Sequence, residues 1–290
     1  MMVETAALVK RYGSHAALDG VDLAVPAGSI YGLVGPNGAG KTTLLGILSG
    51  LRRPTSGIVR VDAVPGRVVT LPDTPRFDSW LTGREVVALA AHLAGPPAGN
   101  VDAVLVETGL ADAADRRVGG YSRGMLQRLG LAASVVGEPE LLLLDEPASA
   151  LDPAGRREVL DLIARLRGHA TVVFSSHILA DVQEVCDRIG ILRDGRLIFQ
   201  GTLDELLVGR ATPAYRVRLR TGQDRAEALL RRQAWVTSVR IDGNDLVVGV
   251  GTLDDAESHL AGVLAEAAAK VVGFGPQDAH LEDVFLELTT

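Results

Sequence analysis

The sequence predicts a layered α/β fold with a central, mainly parallel sheet, followed by a small α+β domain. Apolar runs of strand length, Leu141 to Leu144 and Thr171 to Ser175, have the composition of buried parallel strands. Helical spacing alternates with such runs over about two hundred residues, which is the pattern of an α/β sheet. Toward the end of the chain the pattern changes, because Tyr215 to Arg220 alternates strictly between apolar and basic residues. We therefore expect one domain over residues 1–209 and a second over 210–290.

The other elements of the larger domain follow the same alternation of strands and helices. Strands are expected over Val21 to Val25, Ser29 to Val34 and Val68 to Leu71. Helices are expected over Thr42 to Leu48 and Arg84 to Leu93.

The smaller domain reads as a βαββαβ unit. After the strand at Tyr215 the order predicts a helix, two paired strands, a second helix and a last strand, over Arg225 to Gln233, Val236 to Asp242, Leu246 to Val250, Asp255 to Ala268 and Val271 to Phe274. The amphipathic segment Leu281 to Leu288 ends the pattern. This domain shows no catalytic or metal-binding cluster, and we expect an accessory or dimerisation role.

Composition limits the classes of function. The 290 residues are 47% hydrophobic and carry a formal net charge of −7, so nucleic acid is not an expected partner. The single cysteine, Cys186, cannot form an internal disulfide and favours a reducing compartment. Met1 to Thr5 lacks the pattern of a signal peptide, and no apolar run reaches the roughly 18 residues that span a bilayer. We expect a cytoplasmic protein that needs another chain for any membrane-embedded part.

A phosphate-binding loop is predicted between the strand ending at Val34 and the following helix. Gly35 to Thr42 matches G-x-x-x-x-G-K-[ST], in which backbone N–H groups surround phosphate oxygens and the lysine reaches the β- and γ-phosphates. The threonine hydroxyl binds Mg²⁺ in such loops. The alternative is a glycine-rich turn without a ligand. The predicted nucleotide contacts are Gly35, Asn37, Gly38, Gly40, Lys41, Thr42 and Thr43.

Two carboxylates follow the four-leucine strand. Asp145 lies at its carboxyl end, where open α/β sheets bind ligands, and is expected to hold Mg²⁺ through water. Glu146 is then placed beside the γ-phosphate, where it can orient and polarise the attacking water. An acidic residue after a strand can also be an ordinary polar strand end, but the phosphate loop upstream favours the catalytic interpretation.

His177 follows the strand that begins at Thr171. Its imidazole could donate a hydrogen bond to the γ-phosphate and link that phosphate to Glu146. The alternative is an ordinary surface histidine at the end of a strand.

With Tyr121-Ser122-Arg123-Gly124-Met125 added to these motifs, the chain resembles the ATPase subunit of an ATP-binding cassette (ABC) transporter from residue 3 to about 209. The resemblance implies a P-loop ATPase of the ABC type with a helical subdomain at about 74–138. It also implies that Ser122 and Gly124 contact the ATP held by an opposing subunit. Arg123 and Met125 differ from the commonest form of this segment, and they resemble a variant found among exporter ATPases.

Three further positions are carried over from the family. Tyr12 lies where an aromatic ring stacks on adenine, although a structural tyrosine is an open alternative. Asp152, in Ser149-Ala150-Leu151-Asp152, matches a loop that communicates across the dimer. Asp73 stands where the family usually has a glutamine that contacts Mg²⁺, and we expect this carboxylate to keep the metal-linked role.

Two segments suggest the partners. Arg76, Phe77, Trp80 and Leu81 combine charge and aromatic surface in a way that suits a socket for a membrane partner, although packing inside the subdomain is an equal alternative. The segment Leu281 to Thr289 resembles the ending of daunorubicin-type drug-resistance exporter ATPases.

These observations lead to one functional expectation. The chain is expected to bind and hydrolyse ATP with Mg²⁺, to work as a homodimer around two ATP molecules, and to lie on the inner face of the membrane. There it would drive a separate permease, with export of a drug-like or other hydrophobic compound. The alternatives are an ABC ATPase acting on ribosomes or DNA, and a regulator that binds nucleotide without turnover.

Overall fold

The computed structural model describes residues 1–95, 99–149, 151–207, 213–243 and 245–277. The chain divides into two compact units, the first formed by Met1–Leu203 and the second beginning at Asp204. The boundary expected between residues 209 and 210 and the amphipathic segment Leu281 to Leu288 lie outside the described residues. Both stay predictions.

The first unit contains strands and helices in alternation. Its strands are β1 (Val3–Tyr12), β2 (His15–Val21), β3 (Ala24–Val25), β4 (Ile30–Val34), β5 (Ser56–Val61), β6 (Val68–Leu71), β7 (Leu141–Leu144), β8 (Thr171–Ser176), β9 (Arg188–Arg193) and β10 (Arg196–Gly201). Its helices are α1 (Lys41–Leu48), α2 (Gly83–Ala94), α3 (Val101–Glu107), α4 (Arg123–Val135), α5 (Pro153–Arg165) and α6 (Leu179–Val185). Helix α7 (Leu203–Leu207) spans the division between the units.

A six-stranded sheet in the order β10-β9-β4-β8-β7-β6 forms the centre of the first unit. Strand β4 pairs in parallel with β8 and β9, and β7 pairs in parallel with β8 and β6. Only the pair β9–β10 of this sheet is antiparallel. All residues of β4, β7 and β8 are buried, as expected for parallel strands covered on both faces. The predicted fold class is confirmed.

A second sheet of four strands is built around β1, which pairs with β2, β3 and β5. The single strand expected over Val21 to Val25 is wrong, because β2 ends at Val21 and only Ala24–Val25 continues as β3. The interruption lies opposite Ala7, whose φ is 46° and whose N–H donates to Oδ1 of Asp22 at 2.6 Å. A side chain therefore replaces the ladder hydrogen bond at this point.

A helical segment with its own apolar core lies between β6 and β7. Helix α2 begins with a capping box, in which Thr82 accepts from the N–H of Glu85 and the Glu85 carboxylate accepts from the N–H of Thr82. Helices α2, α3 and α4 bury a common cluster that includes Val87, Leu105 and Leu129. This segment lies within the range expected for the helical subdomain.

The second unit has the predicted βαββαβ order. Its elements are β11 (Ala214–Thr221), α8 (Gln223–Leu230), β12 (Val236–Asp242), β13 (Asp245–Val250), α9 (Leu253–Glu266) and β14 (Lys270–Gln277). The strands form one antiparallel sheet in the order β12-β13-β11-β14. This is the order of a ferredoxin-like unit. Its core includes Val217, Leu230 and Leu260.

Truncating Leu143 in β7 should destabilise the first unit, because its fully buried side chain would leave a cavity in the central sheet. We expect Leu143→Ala to lower the free energy of unfolding by about 2–5 kcal/mol, measured by urea denaturation with circular dichroism. Leu51→Ala is the matched control, because that leucine is 74% exposed. An equal loss in both variants would contradict this account of the core.

Candidate nucleotide site

A cleft of about 400 Å³ lies at the carboxyl ends of β4 and β7 in the first unit. Ten residues predicted from the sequence to bind nucleotide, bind metal or act in catalysis line it together. They are Tyr12, Asn37, Gly38, Gly40, Lys41, Thr42, Thr43, Asp73, Asp145 and Glu146. His15 and Ala17 complete the lining.

The loop between β4 and α1 is shaped by glycines that no other residue could replace without strain. Gly40 has a φ of 109°, and a Cβ there would lie 2.5 Å from the carbonyl oxygen of Ala17. A Cβ on Gly35 would lie 2.2 Å from the carbonyl oxygen of Leu192. Gly40 is the N-cap of α1 and has no side chain that could accept from the first N–H groups of the helix. Such a loop and helix end can accept phosphate oxygens.

Lys41 is almost buried, with 6% of its side chain exposed. Its Nζ donates to the carbonyl oxygen of Gly35 at 2.7 Å and of Pro36 at 3.2 Å. The same ammonium group lies 3.3 Å from Oε1 of Glu146. These contacts fix a positive charge in the cleft beside the proposed base.

Asp145 and Glu146 meet a third residue, Ser175 of β8. The Ser175 hydroxyl donates to Oδ1 of Asp145 at 2.6 Å and accepts from the backbone N–H of Glu146 at 2.8 Å. Glu146 has a φ of 49°, in the left-handed region that residues other than glycine seldom adopt. The two acidic residues are therefore held to the neighbouring parallel strand, and Glu146 is held in a strained backbone conformation.

His177 does not line the cleft directly, but it contacts the residue that does. Its Nδ1 lies 2.7 Å from Oε2 of Glu146. Because an ionised carboxylate only accepts hydrogen bonds, Nδ1 carries the proton of this contact when Glu146 is ionised. Glu146 thus lies between Lys41 on one oxygen and His177 on the other.

The loop that carries His177 is fixed by a polar network. The Ser176 hydroxyl accepts from the N–H of Ile178 at 2.9 Å and lies 3.3 Å from Oδ2 of Asp181. Asp181 is buried, and its other oxygen pairs with Arg156 of α5. This links the loop to the helix that Asp152 caps by accepting from the N–H of Gly155. The neighbourhood of His177 is therefore tied to the segment after the Ser149 to Asp152 motif.

Tyr12 is half-exposed at the rim of the cleft and is held by two cations. The Arg52 guanidinium donates to the Tyr12 hydroxyl at 3.1 Å and lies 3.4 Å from the hydroxyl of Thr43. The Lys10 ammonium stands 4.9 Å from the centre of the Tyr12 ring. A cation therefore stands over one face of the ring.

The oxygen donors of the cleft fit a magnesium ion bound together with phosphates. Thr42, Asp73 and Asp145 line the cleft, and Mg²⁺ in nucleotide sites commonly uses one or two carboxylates with substrate phosphates. Among the described residues no group of three or more His, Cys, Asp or Glu could hold a metal by itself. The donor set thus suits a metal that arrives with nucleotide.

Ser122 and Gly124 are not among the residues that line this cleft. Ser122 caps α4, and its hydroxyl accepts from the N–H of Met125 at 3.3 Å. A Cβ on Gly124 would lie 3.3 Å from the side chain of Leu151, so the segment Tyr121 to Met125, here called the signature segment, lies beside Leu151.

The sequence assigned no functional role to three residues near the cleft: Ser175, His15 and Arg52. A hydroxyl in the apolar strand that contains Phe174 was a usable signal for Ser175. His15 and Arg52 gave no signal, since they come near the phosphate loop only through the pairing of β1 with β2 and the turn that follows α1.

Comparison with known proteins points to one family. The family model described as ABC transporter matches residues 18–149. The daunorubicin/doxorubicin resistance ATP-binding protein DrrA of Streptomyces peucetius is 37% identical over 305 residues, covering 99% of this chain and 92% of the relative. Neither of the two alternative functions considered for the sequence is favoured by these matches.

Solved structures agree with this result. A chain described as the ATP-binding subunit of an ABC transporter is 28% identical, with a TM-score of 0.65, and covers 71% of this chain and 92% of its own. A dimeric post-hydrolysis state of the ATP-binding cassette MJ0796 bound to ADP and Pi is 25% identical, with a TM-score of 0.64 over 70% of this chain and 99% of that one.

Replacing Lys41 should weaken nucleotide binding, because its ammonium is the cation held beside the phosphate loop. We expect Lys41→Ala to raise the Kd for ATP by about ten- to a hundredfold, measured by isothermal titration calorimetry. Lys270→Ala removes an exposed lysine from the second unit and should leave the Kd unchanged. An unaltered Kd in Lys41→Ala would rule out its contact with phosphate.

Proposed function

Because the chain belongs to the ATP-binding proteins of ABC transporters and has their ATPase fold, we propose that it powers the export of a drug-like or other hydrophobic compound through a separate permease. Hydrolysis of ATP coupled to transport is the activity of this family. Export is supported by the likeness, over almost the whole chain, to a protein named for daunorubicin and doxorubicin resistance. The proposed substrate class, a drug-like or other hydrophobic compound, is carried over from the name of that relative.

The placement of Glu146 is the single observation that carries the hydrolytic role. Its carboxylate lies in the cleft between the Lys41 ammonium and the His177 imidazole. In the proposed step Glu146 accepts a proton from water while the water oxygen attacks the γ-phosphorus. The bond to the β,γ-bridging oxygen breaks and ADP leaves. For the other ring nitrogen of His177, Nε2, to donate to the γ-phosphate while Nδ1 donates to Glu146, both ring nitrogens must carry protons.

Mg²⁺ would be held by Thr42 and Asp145, with Asp73 near it. When bound, it supplies neutralisation of charge on the β- and γ-phosphates. Asp73 adds a negative charge where the family usually carries a neutral glutamine amide. We therefore expect Mg²⁺ binding to be coupled to the conformation of the loop after β6 more strongly than it would be with glutamine.

A homodimer around two ATP molecules would complete each site. Ser122 and Gly124 lie outside the cleft of their own chain, whereas the N-terminus of α4 that they form is suited to a phosphate. A two-fold arrangement would bring this helix end to the phosphate loop of a second copy. ATP would then favour the closed pair because it contacts both halves only there. The dimer in a solved relative supports this arrangement.

The surface around Trp80 is the proposed contact with the permease. Phe77 and Leu81 pack against the helical core cluster, whereas the Trp80 side chain is 65% exposed. The two alternatives considered for the segment thus apply to different residues. Phe77 and Leu81 serve packing, and Trp80 is available to a partner. Among the described residues no helix has the length and apolarity to cross a membrane.

Replacing Glu146 by glutamine should separate binding from hydrolysis. We expect Glu146→Gln to keep ATP affinity, to lower kcat by at least about a hundredfold, and to form a stable pair of 30.5 kDa chains with ATP. Size-exclusion chromatography with light scattering measures the pair. Glu138→Gln is the control, because Glu138 shares the left-handed backbone, with a φ of 50°, but not the cleft. Normal hydrolysis in Glu146→Gln would refute the assigned base.

If the chain drives a permease, a membrane protein should co-purify with it in stoichiometric amount. We expect affinity purification from the native membrane to recover a multi-spanning chain, and Trp80→Ala to reduce its yield while ATP affinity stays unchanged. Ile58→Ala is the control, since Ile58 is an exposed apolar residue on β5. Recovery with ribosomes or DNA-processing proteins instead would overturn the transport proposal.

A further inference from the structure

Ser175 lies at a position where a hydroxyl is costly unless it serves another group. It follows Val172, Val173 and Phe174 on β8, and its side chain is fully buried. Burying a hydroxyl without a hydrogen-bond partner is unfavourable, so the hydrogen bonds of Ser175 account for its presence.

The hydroxyl makes one hydrogen bond in each direction. It has a single proton, which it donates to Oδ1 of Asp145 at 2.6 Å. Its lone pairs then accept from the N–H of Glu146 at 2.8 Å. The resulting chain runs from the Glu146 amide through the serine to the Asp145 carboxylate. Because an ionised acceptor ends it, each bond strengthens the other.

We propose that Ser175 is a positioning residue for hydrolysis, which sets both the metal-binding carboxylate and the catalytic base. The proposal rests on the roles proposed above for Asp145 and Glu146, and it does not depend on export. The bond to Oδ1 fixes the rotation of the Asp145 carboxylate. The bond from the amide holds Glu146 at its φ of 49°. Such strain persists only where surrounding groups determine it.

The hydrogen bond from the Glu146 amide to Ser175 also sets the position of the Glu146 carboxylate. The Glu146 carboxylate projects from a backbone that would otherwise relax toward φ < 0. Its Oε1 and Oε2 could then no longer hold their distances of 3.3 Å to Lys41 and 2.7 Å to His177. Ser175 therefore acts on the reaction through other residues, without touching nucleotide itself.

Ser175→Ala tests the role by comparing metal binding with nucleotide binding. We expect kcat and the apparent affinity for Mg²⁺ in ATP binding each to fall by about ten- to a hundredfold, the range for residues that orient a metal ligand. Affinity for ATP without Mg²⁺, titrated with a fluorescent ATP analogue, should stay unchanged. Ser175→Thr, which keeps the hydroxyl, should retain most of the kcat and most of the apparent affinity for Mg²⁺. Ser175→Cys keeps the volume but hydrogen-bonds weakly, and should behave like alanine.

Thr171→Val is the matched control on the same strand. Its hydroxyl is also buried and accepts from the N–H of Gly28 at 2.9 Å, but at the opposite end of β8 from the cleft. It should lower thermal stability about as much as Ser175→Ala, with kcat and Mg²⁺ affinity intact. Equal losses of Mg²⁺ affinity in both variants would reduce Ser175 to a structural residue.

Two further outcomes separate this inference from the proposed function. Normal turnover and Mg²⁺ affinity in Ser175→Ala, beside an inactive Glu146→Gln, would overturn the role of Ser175 alone. Normal turnover in Glu146→Gln would remove the proposed base, and with it the basis of the inference. If Ser175→Ala fails to fold, the contrast between the threonine and cysteine variants decides the question, since a positioning hydroxyl requires threonine to exceed cysteine in both quantities.

Discussion

Parallel pairing of β4 and β7 with β8 is the constraint on which the site depends. Because parallel strands end at the same edge of a sheet, the phosphate loop after β4 and the acidic pair after β7 meet in one cleft. The loop after β8 brings His177 to the same edge. Strand β8 lies between the other two, so its last residues can bond to the groups on either side.

The charges at this edge are arranged around Glu146. One oxygen faces the Lys41 ammonium, the other contacts His177, and its amide is held by Ser175. With so many contacts, the proposed base has little freedom to turn, which would lower the entropy cost of reaching the geometry for reaction. The contacts that orient the Glu146 side chain also maintain its strained, left-handed backbone.

The signature segment lies in the same compact unit as the cleft but does not line it. The N-terminus of α4 is organised by the Ser122 cap, yet it contributes nothing to the lining of its own cleft. The polar link from Ser176 through Asp181 to Arg156 connects the His177 loop to α5, which follows Leu151, the residue that a Cβ on Gly124 would approach to 3.3 Å. In the proposed dimer, the N-terminus of α4 and the polar link from the His177 loop to α5 would together connect one nucleotide site with the other.

The sequence by itself determined the local chemistry and most of the elements. Gly35 to Thr42 specifies a phosphate loop because glycines at those positions permit a backbone that side chains would block. The runs Leu141 to Leu144 and Thr171 to Ser175 specify buried strands because apolar residues at strand length have no other stable place. The strand expected over Val21 to Val25 failed, since the break depends on Asp22 bonding to Ala7, fifteen residues earlier.

Only the tertiary structure decided which side chains meet. Ser175 lies 29 residues after Glu146, and no periodicity relates the two, so their hydrogen bond exists only through strand pairing. The same holds for Arg52 at Tyr12, 40 residues apart. Trp80 and Phe77 are both apolar in the same short segment, and packing against the helical core partly buries Phe77 and leaves Trp80 exposed. Local sequence sets what a residue can do, whereas long-range packing sets what it contacts.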